Sequence, residues 1–230
     1  MDYQNGITVV FLQRDKMKIA TFGCSWTHGT WPDNFSWAYE LAKLDSTLYI
    51  DDYSKGGTSL DWSISQLLKT KNTTYDYKII QITAPYRFTF AHNSIDYQKF
   101  RWQRRSNCIT YSDDIHNEFI LFNNGPSNQN DENYWWKQKE IDTLSRIIYS
   151  CIDEEYMDLQ WLNNIKFAQT HCNLILFHFE EHCQKANIDG SMSSERIIGN
   201  DFNDHCIDDG YHLDESGSKK IAEWIYKRIK

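Results

Sequence analysis

The stretch Lys18-Ile19-Ala20-Thr21-Phe22-Gly23-Cys24-Ser25-Trp26-Thr27-His28-Gly29 decides how this chain is read. Residues 19–22 form an apolar run too short for a helix, and Gly23 closes it. Gly29, Pro32 and Asp33 then keep the chain irregular until a helix can begin. The expected structure is the first strand of a sheet followed by a loop that leaves Ser25 at its mouth. In an open parallel sheet ligands sit beyond the carboxyl ends of the strands, so a hydroxyl delivered there can meet a substrate. A serine in that position can equally serve only its own turn. The other end of the chain decides between the two.

Residues 208–229 read Asp-Asp-Gly-Tyr-His-Leu-Asp-Glu-Ser-Gly-Ser-Lys-Lys-Ile-Ala-Glu-Trp-Ile-Tyr-Lys-Arg-Ile. Ile221, Ile225 and Ile229 recur at helical spacing, with acids and serines before them and Lys227 and Arg228 at the end, as the helix dipole favours. Ahead of this amphipathic helix lies a loop holding Asp209 and His212. One loop can present both side chains to one spot, the carboxylate fixing the imidazole tautomer and the imidazole facing a hydroxyl.

Taken together, Gly23-x-Ser25 after a first strand and Asp209-x-x-His212 before a last helix resemble the SGNH or GDSL hydrolase superfamily of esterases and lipases. The block from Gly23 to Gly29 is most similar to virus- and phage-encoded members, in which Cys replaces the usual Asp. The likeness runs from about Lys18 to Lys230 and is carried by the two ends. It implies a three-layer α/β/α sandwich around a central parallel sheet, flavodoxin-like, with Ser25, His212 and Asp209 as catalytic residues. The α/β-hydrolase elbow Gly-x-Ser-x-Gly is absent, because Thr27 stands where its second Gly belongs.

With 230 residues, 40% of them hydrophobic, the chain can bury a sizeable core, and one domain over 17–230 with an N-terminal extension over 1–16 is the simplest organisation. A formal charge of −8 argues against a general nucleic-acid binder, which needs a basic surface. The apolar residues 7–12 are too few for a membrane span, and the charged start is wrong for a signal peptide. A cytoplasmic protein is therefore expected, with virion association the alternative that the resemblance adds. Six scattered cysteines in such a chain read as reduced thiols.

Between the two ends, residues 33–44 are expected to form a helix with Trp37, Leu41 and Leu44 on its apolar stripe. Residues 47–51 should form a second strand, and residues 60–69 a helix that turns Leu60, Ile64, Leu67 and Leu68 inward. The second strand ends near Gly56-Gly57. By resemblance, Gly57 supplies a backbone amide to an oxyanion hole together with Ser25, and a plain turn explains two glycines as well. The third strand, 77–83, runs into Thr83-Ala84-Pro85-Tyr86-Arg87, where the superfamily places an Asn side chain in the oxyanion hole. Pro85 has no such group, and Arg87 is the nearest candidate substitute and substrate contact.

Residues 88–136 carry no clear periodicity and are read as an insertion outside the sheet with its own local structure. Within it, the basic, aromatic run 99–105 is read first as a solvated face and second as a contact for an anionic sugar or partner chain. Helical spacing returns over 139–167, as two helices or one bent helix, before a buried strand at 173–179.

After that strand His178-Phe179-Glu180-Glu181-His182 fits an inverted zinc-peptidase pattern. That chemistry needs both histidines on one helix face, whereas His178 falls in or at the end of a strand. The expected activity is thus hydrolysis of an ester, by resemblance an O-acyl group such as O-acetyl on a carbohydrate or small molecule, without metal or cofactor and without nucleic-acid or membrane partners. A catalytically weak or inactive structural or carbohydrate-binding protein of a virus, on the same fold, is the alternative, favoured by the missing Asn and opposed by Ser25, Asp209 and His212.

Overall fold

In the computed structural model the described residues are 16–29, 35–56, 58–85, 87–92, 108–112, 118–123, 153–188, 190–207 and 212–230. Four short apolar runs become one sheet: β1 (Met17–Phe22), β2 (Leu48–Asp52), β3 (Tyr77–Ile82) and β7 (Leu174–Phe177). The order is β2-β1-β3-β7, and every pairing is parallel. Successive strands lie to opposite sides of β1, so the order reverses there. The crevice beyond its carboxyl end is the topological switch point where α/β sheets bind ligands.

Both faces of the sheet are covered, because the side chains of each strand alternate between two apolar layers. On one face α2 (Trp37–Leu44), the short α6 (Ser194–Ile198) and the final helix α7 (Glu215–Ile229) pack Trp37, Leu41, Ile198, Ile221 and Ile225 over Ile19, Ile79 and Leu176. On the other, α3 (Leu60–Lys69) and α4 (Glu154–Gln169) pack Leu60, Leu67, Trp161 and Ile165 over Phe22, Ile80, Ile82 and Phe177. The architecture is a three-layer α/β/α sandwich. Each fully buried aliphatic or aromatic side chain contributes roughly 1.5–3 kcal/mol of transfer free energy.

Two element boundaries and the facing of one side chain depart from the sequence reading for reasons the structure shows. Helix α2 begins at Trp37 because Ser36 caps it, its Oγ accepting from Tyr39 N at 3.3 Å. Strand β7 stops at Phe177, since Phe179 is already the N-cap of α5 (Glu180–Ala186). Leu68 is 46% exposed: Leu60, Ile64 and Leu67 complete the buried stripe of α3, and Leu68 falls one position off it.

Three described segments, 87–92, 108–112 and 118–123, hold regular structure that periodicity missed. Strands β4 (Arg87–His92), β5 (Cys108–Ser112) and β6 (Glu118–Asn123) pair antiparallel in the order β4-β6-β5 and form a sheet separate from the parallel one. Each is only five or six residues long, too short for its pattern to stand out. Residues 1–15, the basic run 99–105 and the expected helix over 139–152 lie outside the described residues. No helix among the described residues is long and apolar enough to cross a membrane.

Candidate active site

Ser25 opens a single helical turn, α1 (Ser25–His28), directly after β1. The turn is held from below by a polar residue set into an apolar strand. Gln81 of β3 accepts from Thr27 Oγ1 at 2.7 Å, and Cys24 Sγ lies 3.9 Å from the same oxygen. Cys24, Thr27 and Gln81 are all buried. Gly23 is required by this approach. At φ +158° a Cβ there would lie 2.2 Å from Thr27 Oγ1 and 3.0 Å from Gln81 Cβ.

From above, Gly23 O accepts from Thr58 Oγ1 at 3.0 Å and from Lys55 N at 3.3 Å, which ties the loop after β2 to the serine turn. A further hydrogen bond runs from Ser36 Oγ to Thr27 O. The turn is thus fixed by three separate segments, and Ser25 is only 7% exposed.

His212 reaches Ser25 from the opposite end of the chain. Its Nε2 lies 2.8 Å from Ser25 Oγ. The approach is set by the seating of the final helix. Leu213 is buried and bridges Cys206, Ile207 N donates to His212 O at 2.8 Å, and Asp214 caps α7 by accepting from Gly217 N at 2.7 Å. Gly217 lets α7 approach the 3₁₀ turn Phe202–His205, since a Cβ there would lie 2.7 Å from His205 O.

Of the residues singled out in sequence, Ser25 and His212 are brought together, while Asp209 and Gly57 lie outside the described residues. Arg87 opens β4, and its Nη1 is buried without a hydrogen-bond partner. His178 follows β7 and His182 sits in α5, so the two do not share a helix face as the zinc-peptidase pattern requires.

His178 has a different place. It is 6% exposed, and its ring centroid lies 3.6 Å from that of Trp26, the residue after the serine. Burial, followed by the charge of Arg87 and the neighbouring His182 and His212, holds His178 well below the usual imidazole range. Burial also lowers His182. Both are therefore neutral at pH 7. Trp26 further contacts Phe179 and Phe202, each at 6.1 Å between centroids. Those two rings line a cavity of about 760 Å³ together with Asn200 and Asn203, where the Arg196 guanidinium is paired with Glu180 at 2.5 Å.

Gln81 was not singled out by the sequence reading, although an amide interrupting Ile79-Ile80-Gln81-Ile82 was its signal. Among the described residues, Cys24, Cys172, Cys183 and Cys206 form no disulfide, and burial pushes the Cys172 and Cys183 thiols up to about 12, which disfavours those two as nucleophiles.

No protein-family model and no curated protein matches the sequence. Among solved structures, a member of the lipolytic protein G-D-S-L family from Veillonella parvula DSM 2008 is similar over 92% of this chain and 97% of its own, at 11% identity and a TM-score of 0.47. A GDSL-like lipase from Bacteroides thetaiotaomicron VPI-5482 is similar over 93% of this chain and 88% of its own, at 10% identity and a TM-score of 0.44. With TM-scores below 0.5, these likenesses leave the chemistry to be read from the chain's own residues.

Proposed function

We propose that the protein is a serine hydrolase that cleaves an ester at Ser25. The observation that carries this reading is the 2.8 Å contact between Ser25 Oγ and His212 Nε2 at the switch point of a parallel sheet. Ser25 Oγ–H donates to Nε2, which requires the imidazole proton on Nδ1. Asp209, three residues earlier in the same loop, is the group assigned to hold that proton.

In the reaction Ser25 attacks the ester carbonyl while His212 takes its proton. The tetrahedral intermediate collapses as His212 returns that proton to the departing alcohol. Water then hydrolyses the acyl-enzyme by the same route. Backbone amides of Ser25 and Gly57 are assigned to the oxyanion. Pro85 occupies the place of the superfamily's Asn and donates nothing, so the hole lacks one donor, a loss of about 10²–10³ in rate where it has been measured in other enzymes.

The alcohol part of the ester, a small molecule or a carbohydrate unit, is assigned to the cavity beside Trp26. Its Phe179 and Phe202 rings and its Asn200 and Asn203 amides suit a hydroxylated ring. Kinship with the virus- and phage-encoded branch rests on the block from Gly23 to Gly29 alone. Hydrolysis of 4-nitrophenyl acetate by the wild type and by Ser25→Ala tests the reading. Slow turnover that disappears in the variant supports it, and equal turnover in both refutes it.

A further inference from the structure

The guanidinium of Arg87 is incompletely satisfied. Its Nη1 is buried and has no hydrogen-bond partner, in a chain that carries 32 carboxylate side chains against 24 basic ones. Arg87 as a whole is half-buried, but leaving its buried Nη1 donor unpaired is costly, and a hydrogen-bond acceptor from outside the chain would satisfy it.

The surroundings of Arg87 point to the nature of that partner. Its charge is felt at His178 and His182, both held neutral, so neither imidazole adds a competing positive charge. His178 Nδ1 and His182 Nδ1 are themselves buried without partners, as is Thr83 Oγ1 at the end of β3. The strand pairing Ile82↔Phe177 brings Thr83 and His178 to the same carboxyl edge of the sheet. Through its 3.6 Å ring contact with Trp26, His178 stands one ring away from Ser25. A cation with spare donor capacity thus lies near His178, at the carboxyl edge of the sheet that also carries Ser25.

We propose that Arg87 binds a negatively charged oxygen carried by the substrate, so that the ester cleaved at Ser25 also bears a carboxylate. This rests on the serine-hydrolase reading above and adds the substrate class. Arg suits the role, because a planar guanidinium can grip a carboxylate with two parallel hydrogen bonds and stays charged at any working pH.

The test compares charged and neutral esters of matched size. Two pairs serve: 4-nitrophenyl hydrogen succinate against 4-nitrophenyl butyrate for a charge on the acid side, and 4-acetoxybenzoate against its methyl ester for a charge on the alcohol side. The wild type should favour the charged member of at least one pair by about tenfold or more in kcat/KM, mainly through KM, as a charge-assisted pair would give. Arg87→Gln should abolish that preference, and Arg87→Lys should keep part of it. No preference in either pair, or a preference unchanged in Arg87→Gln, overturns the proposal. So does an equal fall in kcat for charged and neutral esters with KM intact, which would make Arg87 an oxyanion donor instead.

A binding measurement separates this proposal from the hydrolase reading and covers the case in which Arg87→Gln does not fold. Hydrogen monomethyl succinate and dimethyl succinate are titrated into the Ser25→Ala protein and followed by NMR. Binding of the charged ester alone, weakened by Arg87→Lys in that background, supports the proposal even if the wild type hydrolyses nothing. Equal binding of both esters, or of neither, overturns it even if the wild type turns over neutral esters.

Discussion

The hydroxyl of Ser25 and Nε2 of His212 are 187 residues apart in sequence and 2.8 Å apart in space. Two devices produce that distance. Gln81 clamps the serine turn from the centre of the sheet, and the Asp214 cap fixes where α7 starts and hence where the preceding loop ends. Each device can be removed without touching either reacting group.

Gly23→Ala tests the tightness of the serine turn. The added methyl would meet Thr27 Oγ1 at 2.2 Å, so the turn must shift. Overpacking of this kind costs about 1–3 kcal/mol. A displacement near 1 Å at a nucleophile can cost on the order of 10² in rate. Scanning calorimetry should show a melting temperature lower by several degrees, and ester turnover should fall by a larger factor than stability explains.

Gln81→Leu leaves Thr27 Oγ1 without its acceptor and should cost about 1–3 kcal/mol. Thr27→Val removes the other partner. The double variant should recover part of the loss, because replacing both members of a buried pair is milder than stranding one. Denaturant unfolding of the four proteins measures the coupling. Strict additivity would show that the two side chains do not interact.

The fold was legible in sequence wherever a short apolar run ended in Gly or an acid, as at residues 19–23 and 48–52. Ser25 and His212 were singled out by the resemblance that the two ends of the chain carry together, since neither stands out from an ordinary turn alone, and the structure brings them within 2.8 Å. Gln81 was not, since one amide in an apolar strand reads as an interruption until the strand beside it is known. His178 was placed at the end of the last strand, but its contact with Trp26 was hidden, because sequence spacing does not show which rings meet across elements. The small antiparallel sheet was hidden because β4, β5 and β6 pair with one another rather than with strands of the main sheet.

Asp214→Ala removes the N-cap of α7, where the carboxylate accepts from Gly217 N and from Ser216 Oγ. Loss of such a cap costs about 0.5–2 kcal/mol. Because His212 is two residues upstream, fraying of the first turn should also loosen the Ser25–His212 contact. Turnover in Asp214→Ala should fall while Asp214→Ser, which can still cap, retains most of it. Equal losses in both variants would mean that capping is not what positions His212.

Stability should depend on pH through the two buried histidines. Their folded pKa values lie below the unfolded value near 6.5, so below that pH the unfolded chain binds protons that the folded chain refuses. The contribution is full above about pH 6.5 and is lost as pH falls from there toward the folded pKa values. Melting temperatures measured between pH 8 and pH 5 should be flat at first and then decline. His182→Gln, which removes one of the two groups, should decline less steeply.

The central claim is that Ser25 is a nucleophile activated by His212. A fluorophosphonate probe reacts only with an activated serine, and peptide mass spectrometry locates its adduct. The wild type should carry one adduct, on Ser25, formed at a rate that falls by several orders of magnitude in His212→Asn, as expected when the base of a serine nucleophile is removed. An unlabelled wild type, an adduct on another residue, or labelling of Ser25 at an unchanged rate in His212→Asn would contradict the account.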